Sequence, residues 1–291
     1  MRKPAASALA VPQLLNKLGR GAPVSMKAVG GGCIARASIA TFADGLTVFV
    51  KTKQGSPGMF EREAEGLAAL AEADAIRVPA VLAVGEGVLV LEAIQSAPKC
   101  AGFAELFGEQ FASLHRHQGS FFGFYSDNFI GATEQLNSRV GNGDCWPDFF
   151  FERRLLYQVK LAARNGYGHE LQQLLLSGQR QIMELLAASD ELPSILHGDL
   201  WGGNYLADEQ GRPCLIDPAV YFGHREADLA MTRLFGGFEA GFYRAYNEAW
   251  PLAPGHEERL HLYQLYHLLN HLNLFGMSYY GQCRQILQRY A

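Results

Sequence analysis

A chain of 291 residues that is 48% hydrophobic and 19% charged has the composition of a folded protein with a large core, and its length suits two lobes rather than several domains. Its net charge of −4 supplies no basic field to recruit nucleic acid or an anionic membrane, and 18 Phe with 12 Tyr argue against disorder. The five cysteines (Cys33, Cys100, Cys145, Cys214, Cys283) are scattered, with no Cys-x-x-Cys, which excludes a disulfide framework and a zinc site and points to a reducing cytoplasm.

The apolar run after Met1 is short and Pro12 interrupts it, so it is not read as a secretion signal. Pro12 to Leu18 reads as a short amphipathic helix. Gly30-Gly31-Gly32 follows, and the alternation of Cys33, Ala35, Ala37 and Ile39 predicts a strand leaving a glycine bend. Asp44-Gly45 predicts a hairpin turn, and residues 46–51 the returning strand. This order of strand, bend, strand, turn, strand is not the strand–loop–helix of a dinucleotide or Walker phosphate loop. From Pro57 the spacing of Phe60, Ala64, Leu67, Ala68 and Leu70 predicts a helix, with Glu63 near its apolar face. Residues 81–84 and 88–91, joined by Gly85-Glu86-Gly87, form another hairpin.

Residues 95–102 lack periodicity and make the best boundary. The expected division is therefore a first lobe over 1–94, a small sheet with one main helix, and a mainly helical second lobe over 95–291. Helices are expected over 103–117, 146–164, 169–186, 227–234, 238–249 and 257–275. The most apolar stretch, 262–280, carries His267, Asn270, His271 and Asn273, so it reads as a buried helix rather than a membrane span.

The octet HGDLWGGN at 197–204 carries the chemistry, with Asp217 thirteen residues after Asn204. Residues 205–207 and 214–216 read as arms of a hairpin whose turn centres between Gln210 and Gly211. On that count Asn204 and Asp217 are equidistant from the turn and face each other across roughly 5 Å, so one cation could touch both oxygens. Asp199 is left to take a proton. A base with an Asn/Asp metal pair is the phosphoryl-transfer arrangement of the eukaryotic-type kinase fold. Lys51 closes an apolar strand, where it either snorkels to solvent or reaches phosphate oxygens while Glu63 steadies it. Gly31 and Gly32 would let backbone approach a nucleotide's phosphates, or simply bend a hairpin. Glu92 and Ile94 stand where a hinge would offer backbone groups to adenine.

Three further residues remain open at this level. Cys33 is either a buried small hydrophobe or an exposed thiol able to link two molecules on oxidation, so the chain is a monomer or a redox-dependent homodimer through Cys33. Asp228 either caps a helix or accepts the backbone N–H groups of the catalytic loop. Trp201 either packs its loop or stacks on a sugar face. The eleven residues from Asp217 to Asp228 are too few for a peptide-docking segment, which favours a small acceptor.

HGDLWGGN (197–204), IDPAVYFGHREADLAMTRLFGGF (216–238), GGGCIARA (30–37), FEREAEGLAAL (60–70), WPDFFFERRL (146–155) and YHLLNHLNLFG (266–276) together closely resemble the fructosamine/ketosamine-3-kinase family. The resemblance spans nearly the whole chain. It implies an α+β, two-lobed fold, the aminoglycoside-phosphotransferase-like version of the protein-kinase fold. It further implies ATP-dependent phosphorylation of the 3-hydroxyl of a ketosamine, free or on a glycated protein, leading to deglycation. By resemblance Asp199 is the catalytic base, Asn204 and Asp217 are Mg²⁺ ligands, and Lys51 and Glu63 position phosphate. The sequence departs from the pattern in its three consecutive glycines followed by Ala35-Arg36 and in the short segment from His117 to Phe121. The alternatives are a kinase of the same fold for another small alcohol (aminoglycoside, choline or homoserine) and a non-catalytic nucleotide-binding protein.

Overall fold

Alternation of side chains along the strands organises the N-terminal sheet in this computed structural model, which describes residues 6–30, 35–140 and 145–291. Strands β1 (Ser25–Val29), β2 (Arg36–Thr41), β3 (Thr47–Thr52), β4 (Val81–Gly85) and β5 (Val88–Glu92) form one antiparallel sheet in the order β1-β2-β3-β5-β4. Val48 and Val50 of β3, with Val88 and Val90 of β5, pack on Leu14 and Leu15 of helix α1 (Ala6–Asn16). Leu89 and Leu91, from the opposite face of β5, pack on Phe60, Ala64 and Leu67 of helix α2 (Met59–Glu72). Side chains of a strand repeat every second residue, so Lys51 shares the α2 face with Phe49. The Asp44-Gly45 turn forms as expected: Phe42 N–H donates to the Leu46 carbonyl, and Gly45 takes a φ of +87°. Helix α1 begins before Pro12 and carries it inside, so the proline does not mark its start.

Two compact units make up the chain, one of Met1–Phe103 with Tyr205–Pro218 and one of Ala104–Asn204 with Ala219–Ala291. The hairpin after the octet thus belongs with the sheet, where a division at 94/95 had set it with the helices. Backbone bonds account for this. Ala97 N–H donates to the Ala207 carbonyl at 3.3 Å, Cys100 to Gly211 at 3.0 Å, and Leu215 to Arg77 at 2.9 Å.

The hairpin also corrects the expected register. Tyr205 pairs with Leu215, Leu206 with Cys214 and Ala207 with Pro213, so the turn centres on Gln210 and the second arm is displaced by one residue. Asp217 therefore lies one residue beyond the position that symmetric counting assigned. The cause is the turn itself. Asp208 Oδ1 accepts the amides of Gln210 and Arg212 at 2.9 Å each, and Gly211 enters the left-handed region at φ +74°. A type I turn followed by a left-handed glycine adds one residue to a two-residue loop.

The second unit is mainly helical. Residues 146–167 alternate α and π turns, with the π segments at Phe150–Leu156 and Ala163–Tyr167. The single helix expected over 169–186 is interrupted for one residue, as Glu170–Ser177 and Gln179–Ala187; at the interruption Gly178 sits against the backbone of Tyr290, where a Cβ would meet the carbonyl oxygen at 2.7 Å. The apolar helix runs over His256–Phe275 and stops at Gly276, which has a φ of +100°. No helix of the described residues is long and apolar enough to cross a membrane.

Helix α3 (Phe103–His115) meets the helix Ala240–Ala249 through Phe107, Phe111, Phe242 and Tyr246. Their backbones approach so closely that a Cβ on Gly108 would meet the Phe242 carbonyl oxygen at 2.2 Å. Gly108→Ala should destabilise the protein by about 1–3 kcal/mol despite the better helix propensity of alanine. A urea denaturation midpoint unchanged from wild type would show that the two helices separate without cost.

Candidate active site

Lys51, only 8% exposed, is the charged centre of the first unit. Its Nζ lies 2.6 Å from Glu63 Oε1 and 3.1 Å from Asp217 Oδ1. Burial alone pulls the ammonium pKa down, but the two carboxylates outweigh it and hold Lys51 above the ordinary lysine value. Strand β3, helix α2 and the end of the hairpin thus converge on one cation. Asp217 has a left-handed backbone at φ +54°, and its side chain is 47% exposed.

Arg77 is a residue that sequence reasoning missed. Its guanidinium bonds Glu92 at 2.6 Å, Asp208 at 3.1 Å and Glu209, and its carbonyl accepts from Leu215. It ties the end of β5 to the hairpin arm that leads to Asp217. An arginine between Ile76 and Val78 was the available signal. Glu92 is accordingly a partner of Arg77, and its amide donates to the Ala80 carbonyl; Ile94 is half-buried. Gly31, Gly32 and Cys33 lie outside the described residues.

In the second unit the strand Ser194–Leu196, paired with Tyr221–Gly223, delivers the octet. Asp228, buried, receives the His197 amide on Oδ2 at 2.7 Å and the Gly198 amide on Oδ1 at 2.8 Å. Of its two possible roles it therefore takes the one that holds the loop. His115 Nε2 lies 3.3 Å from Asp228 Oδ2, and Tyr246 Oη lies 2.8 Å from His115 Nδ1. Burial lowers the His115 pKa more than Asp228 raises it, so the ring is neutral. One tautomer then serves both bonds, with Nε2–H donating to Asp228 and Nδ1 accepting from Tyr246. Burial raises the Asp228 pKa, but the bonds from His115 and from the loop outweigh it and hold the carboxyl below its ordinary value.

Gly198 turns at φ +80°, and a Cβ there would meet the Ala219 carbonyl oxygen at 2.0 Å. Ala219 N–H in turn donates to the His197 carbonyl at 2.8 Å. Two buried amides unnoticed in the sequence hold the same segment, as Gln135 Nε2 donates to the Ala219 carbonyl and Asn128 Nδ2 to the Val220 carbonyl. Asp199 is half-buried. Asn204 Nδ2 donates to its carbonyl at 2.8 Å and to its Oδ2 at 3.2 Å. That fixes the Asn204 amide with nitrogen toward Asp199, so its oxygen is the atom available to a cation. Trp201 is 40% exposed, so it is not core; its ring lies over Gly203, where a Cβ would meet it at 2.5 Å.

No group of three or more His, Cys, Asp or Glu among the described residues could hold a metal. The Asp217 carboxylate in the first unit and the Asn204 amide oxygen in the second are each hard oxygen donors, the type that Mg²⁺ prefers over nitrogen or sulfur.

Comparison with known proteins gives one consistent relationship. The family described as fructosamine kinase matches residues 9–291. A protein named a probable ketoamine kinase in Synechocystis is 40% identical over 270 residues, covering 90% of this chain and 89% of its own. A chloroplastic protein-ribulosamine 3-kinase of Arabidopsis thaliana is 40% identical over 273 residues, covering 90% and 81%. A crystal structure assigned as a fructosamine-3-kinase from Haemophilus somnus superposes with a TM-score of 0.85 at 29% identity over 96% of both chains. An aminoglycoside phosphotransferase at 18% identity and a TM-score of 0.63, covering 98% and 99%, shares the fold.

Asp228→Asn should destabilise the protein by about 3 kcal/mol, because an isosteric amide leaves a buried loop N–H facing an N–H donor. It should also lower kcat by displacing the loop. Denaturation and steady-state kinetics on the same preparation check this, and wild-type values in both would remove the anchoring role.

Proposed function

The chain belongs to the fructosamine kinase family, and from that premise we propose that it transfers the γ-phosphoryl group of ATP to the 3-hydroxyl of a ketosamine of the fructosamine or ribulosamine type. The observation that carries this reading is the Lys51 ammonium, drawn from one strand and bonded at once to Glu63 and Asp217. A buried ammonium held by a carboxylate is a preformed group for phosphate oxygens: Glu63 would aim it at the α- and β-phosphates of the nucleotide and so hold ATP for transfer. The relatives named for ketoamine and ribulosamine supply the acceptor class.

In this scheme Asp199 accepts the proton of the 3-hydroxyl. The hydroxyl oxygen forms its bond to the γ-phosphorus as the bond to the β-phosphate oxygen breaks, and ADP leaves. Asn204 and Asp217 are the residues we assign to Mg²⁺. When bound, that ion neutralises charge on the phosphates. Asn204 also steadies Asp199 through its side-chain nitrogen, so truncating it would disturb the base as well as the metal. Glu92 ends β5 and Ile94 lies two residues beyond it, where the Glu92 carbonyl and the Ile94 backbone would meet adenine. Trp201, half-exposed two residues past the base, offers its face to the sugar. The 3-phosphate formed is unstable and frees the amine, which makes the reaction a deglycation of small amines or proteins.

A panel of ketosamines and other small alcohols assayed with Mg-ATP tests the acceptor class, with phosphate expected on the ketosamines. Asp199→Asn should reduce turnover by about 10²–10⁴ while nucleotide affinity stays near wild type. Undiminished kcat in that variant would refute the base assignment, and turnover of another alcohol in preference to every ketosamine would refute the acceptor.

A further inference from the structure

Beside the octet the second unit carries a run of rings that neither the base nor the metal residues explain. Trp201 meets Phe235 edge to face, with centroids 6.3 Å apart, and Phe235 lies 4.6 Å from the His271 ring. Phe275 and Tyr279 back His271 at 5.3 and 5.2 Å. The three front members come from separate segments: the octet, the stretch after the helix Glu226–Thr232, and the helix His256–Phe275. Trp201 and Phe275 are exposed, and Phe235 and His271 are half-buried, so the run is a surface wall rather than core.

His271 makes this wall more than an apolar patch. Its Nδ1 lies 2.8 Å from the His267 carbonyl oxygen, which can only accept, so Nδ1 carries the hydrogen. In the neutral ring Nε2 then presents a lone pair, and it has no protein partner among the described residues. Burial pulls the His271 pKa below its ordinary value, which keeps the ring neutral. A neutral acceptor with the Phe235 ring against it, and Trp201 against Phe235 in turn, is a surface on which a substituted ammonium gains both a hydrogen bond and cation–π attraction.

We propose that Trp201, Phe235 and His271 form the acceptor-side wall that selects the amine of a ketosamine, with His271 Nε2 accepting a hydrogen bond from the amine N–H and the Phe235 and Trp201 rings flanking the cation. The assignment rests on the ketosamine reading above. It follows the chemistry of that acceptor, whose amine lies on C1, two carbons from the hydroxyl that Asp199 addresses. It gives the site a means of preferring a glycated amine over a plain ketose, since the sugar ring alone does not reach for a cation-binding wall.

His271→Phe tests this, because it keeps a ring against Phe235, Phe275 and Tyr279 and removes the acceptor. Two acceptors are compared: a ketosamine, and the same ketose carrying an ether oxygen in place of the amine nitrogen, measured as substrate or as competitive inhibitor. His271→Phe should raise KM for the ketosamine about ten- to a hundredfold, leave the affinity for the ether analogue within about twofold of wild type, and leave KM for ATP unchanged. His271→Gln, which retains an acceptor near the Nε2 position, should recover part of the loss. Equal losses on both acceptors, or none on the ketosamine, would overturn the proposal, as would recovery no better in His271→Gln than in His271→Phe. A wild-type protein that phosphorylates no ketosamine would instead mark failure of the activity on which the wall depends.

Discussion

Two consecutive amides, of His197 and Gly198, face the interior of the helical unit, and the Asp228 carboxylate receives both. A loop cannot leave such groups unpaired without a cost of about 1–3 kcal/mol each, so the carboxylate is required by the loop's own conformation. That conformation in turn depends on Gly198, which alone fits the approach to Ala219 at a left-handed φ. The anchor is itself anchored, by neutral His115, by Tyr246 and, beyond them, by Arg225. Arg225 NH1 lies 3.4 Å from the Tyr246 oxygen, and its Nε and NH2 bond Glu191 at 2.7 and 2.9 Å. A chain of satisfied polar groups in a low-dielectric interior is rigid because each member has one workable partner arrangement. Asp199 inherits that rigidity through the backbone two residues on.

The sheet unit solves a parallel problem by different means. Lys51 is placed by strand alternation, which needs no polar network, yet Asp217 follows a three-residue strand, Pro213–Leu215, that could not hold its position alone. Arg77 supplies what the short hairpin lacks. Its fork spreads over carboxylates from β5 and from the turn, while its own backbone pairs with the second arm. A lysine in its place would carry the charge but could not span three acceptors in fixed directions. The charge-bearing residues of both units thus rest on a buried or half-buried polar hub, which the sequence pattern does not advertise.

What the sequence made legible follows from this. Lys51 and Glu63 could be paired because a period-two strand and a helical face are local patterns, and local patterns survive folding. The octet was legible because its residue types are chemically unusual together. The hairpin was recognised and its register missed, since symmetric counting has no way to see that Asp208 captures two amides and adds a residue to the turn. Gly178 has no room for a side chain for a reason fixed more than a hundred residues away, at Tyr290. Arg77, Gln135 and Asn128 act through partners distant in sequence, and no window of neighbours contains that information. Arg154 belongs with them: buried within the WPDFFFERRL segment, it lies over the Tyr221 ring at 4.1 Å and donates to the Leu136 carbonyl and Asn137.

Asp217 shows where local preference and chemistry part. A proline follows it, and the residue before a proline is driven toward extended conformations, yet Asp217 holds a left-handed φ of +54°. Such a conformation costs a non-glycine residue on the order of 1 kcal/mol or more and persists only where the surroundings impose it. Glycine would relieve the strain and would also remove the carboxylate that Lys51 binds at 3.1 Å. The fold therefore retains an unfavourable backbone at a position whose side chain it could have discarded for stability. Strain kept beside a buried cation, with one face of the carboxylate still open to solvent, is better explained by a demand for that carboxylate than by the needs of packing.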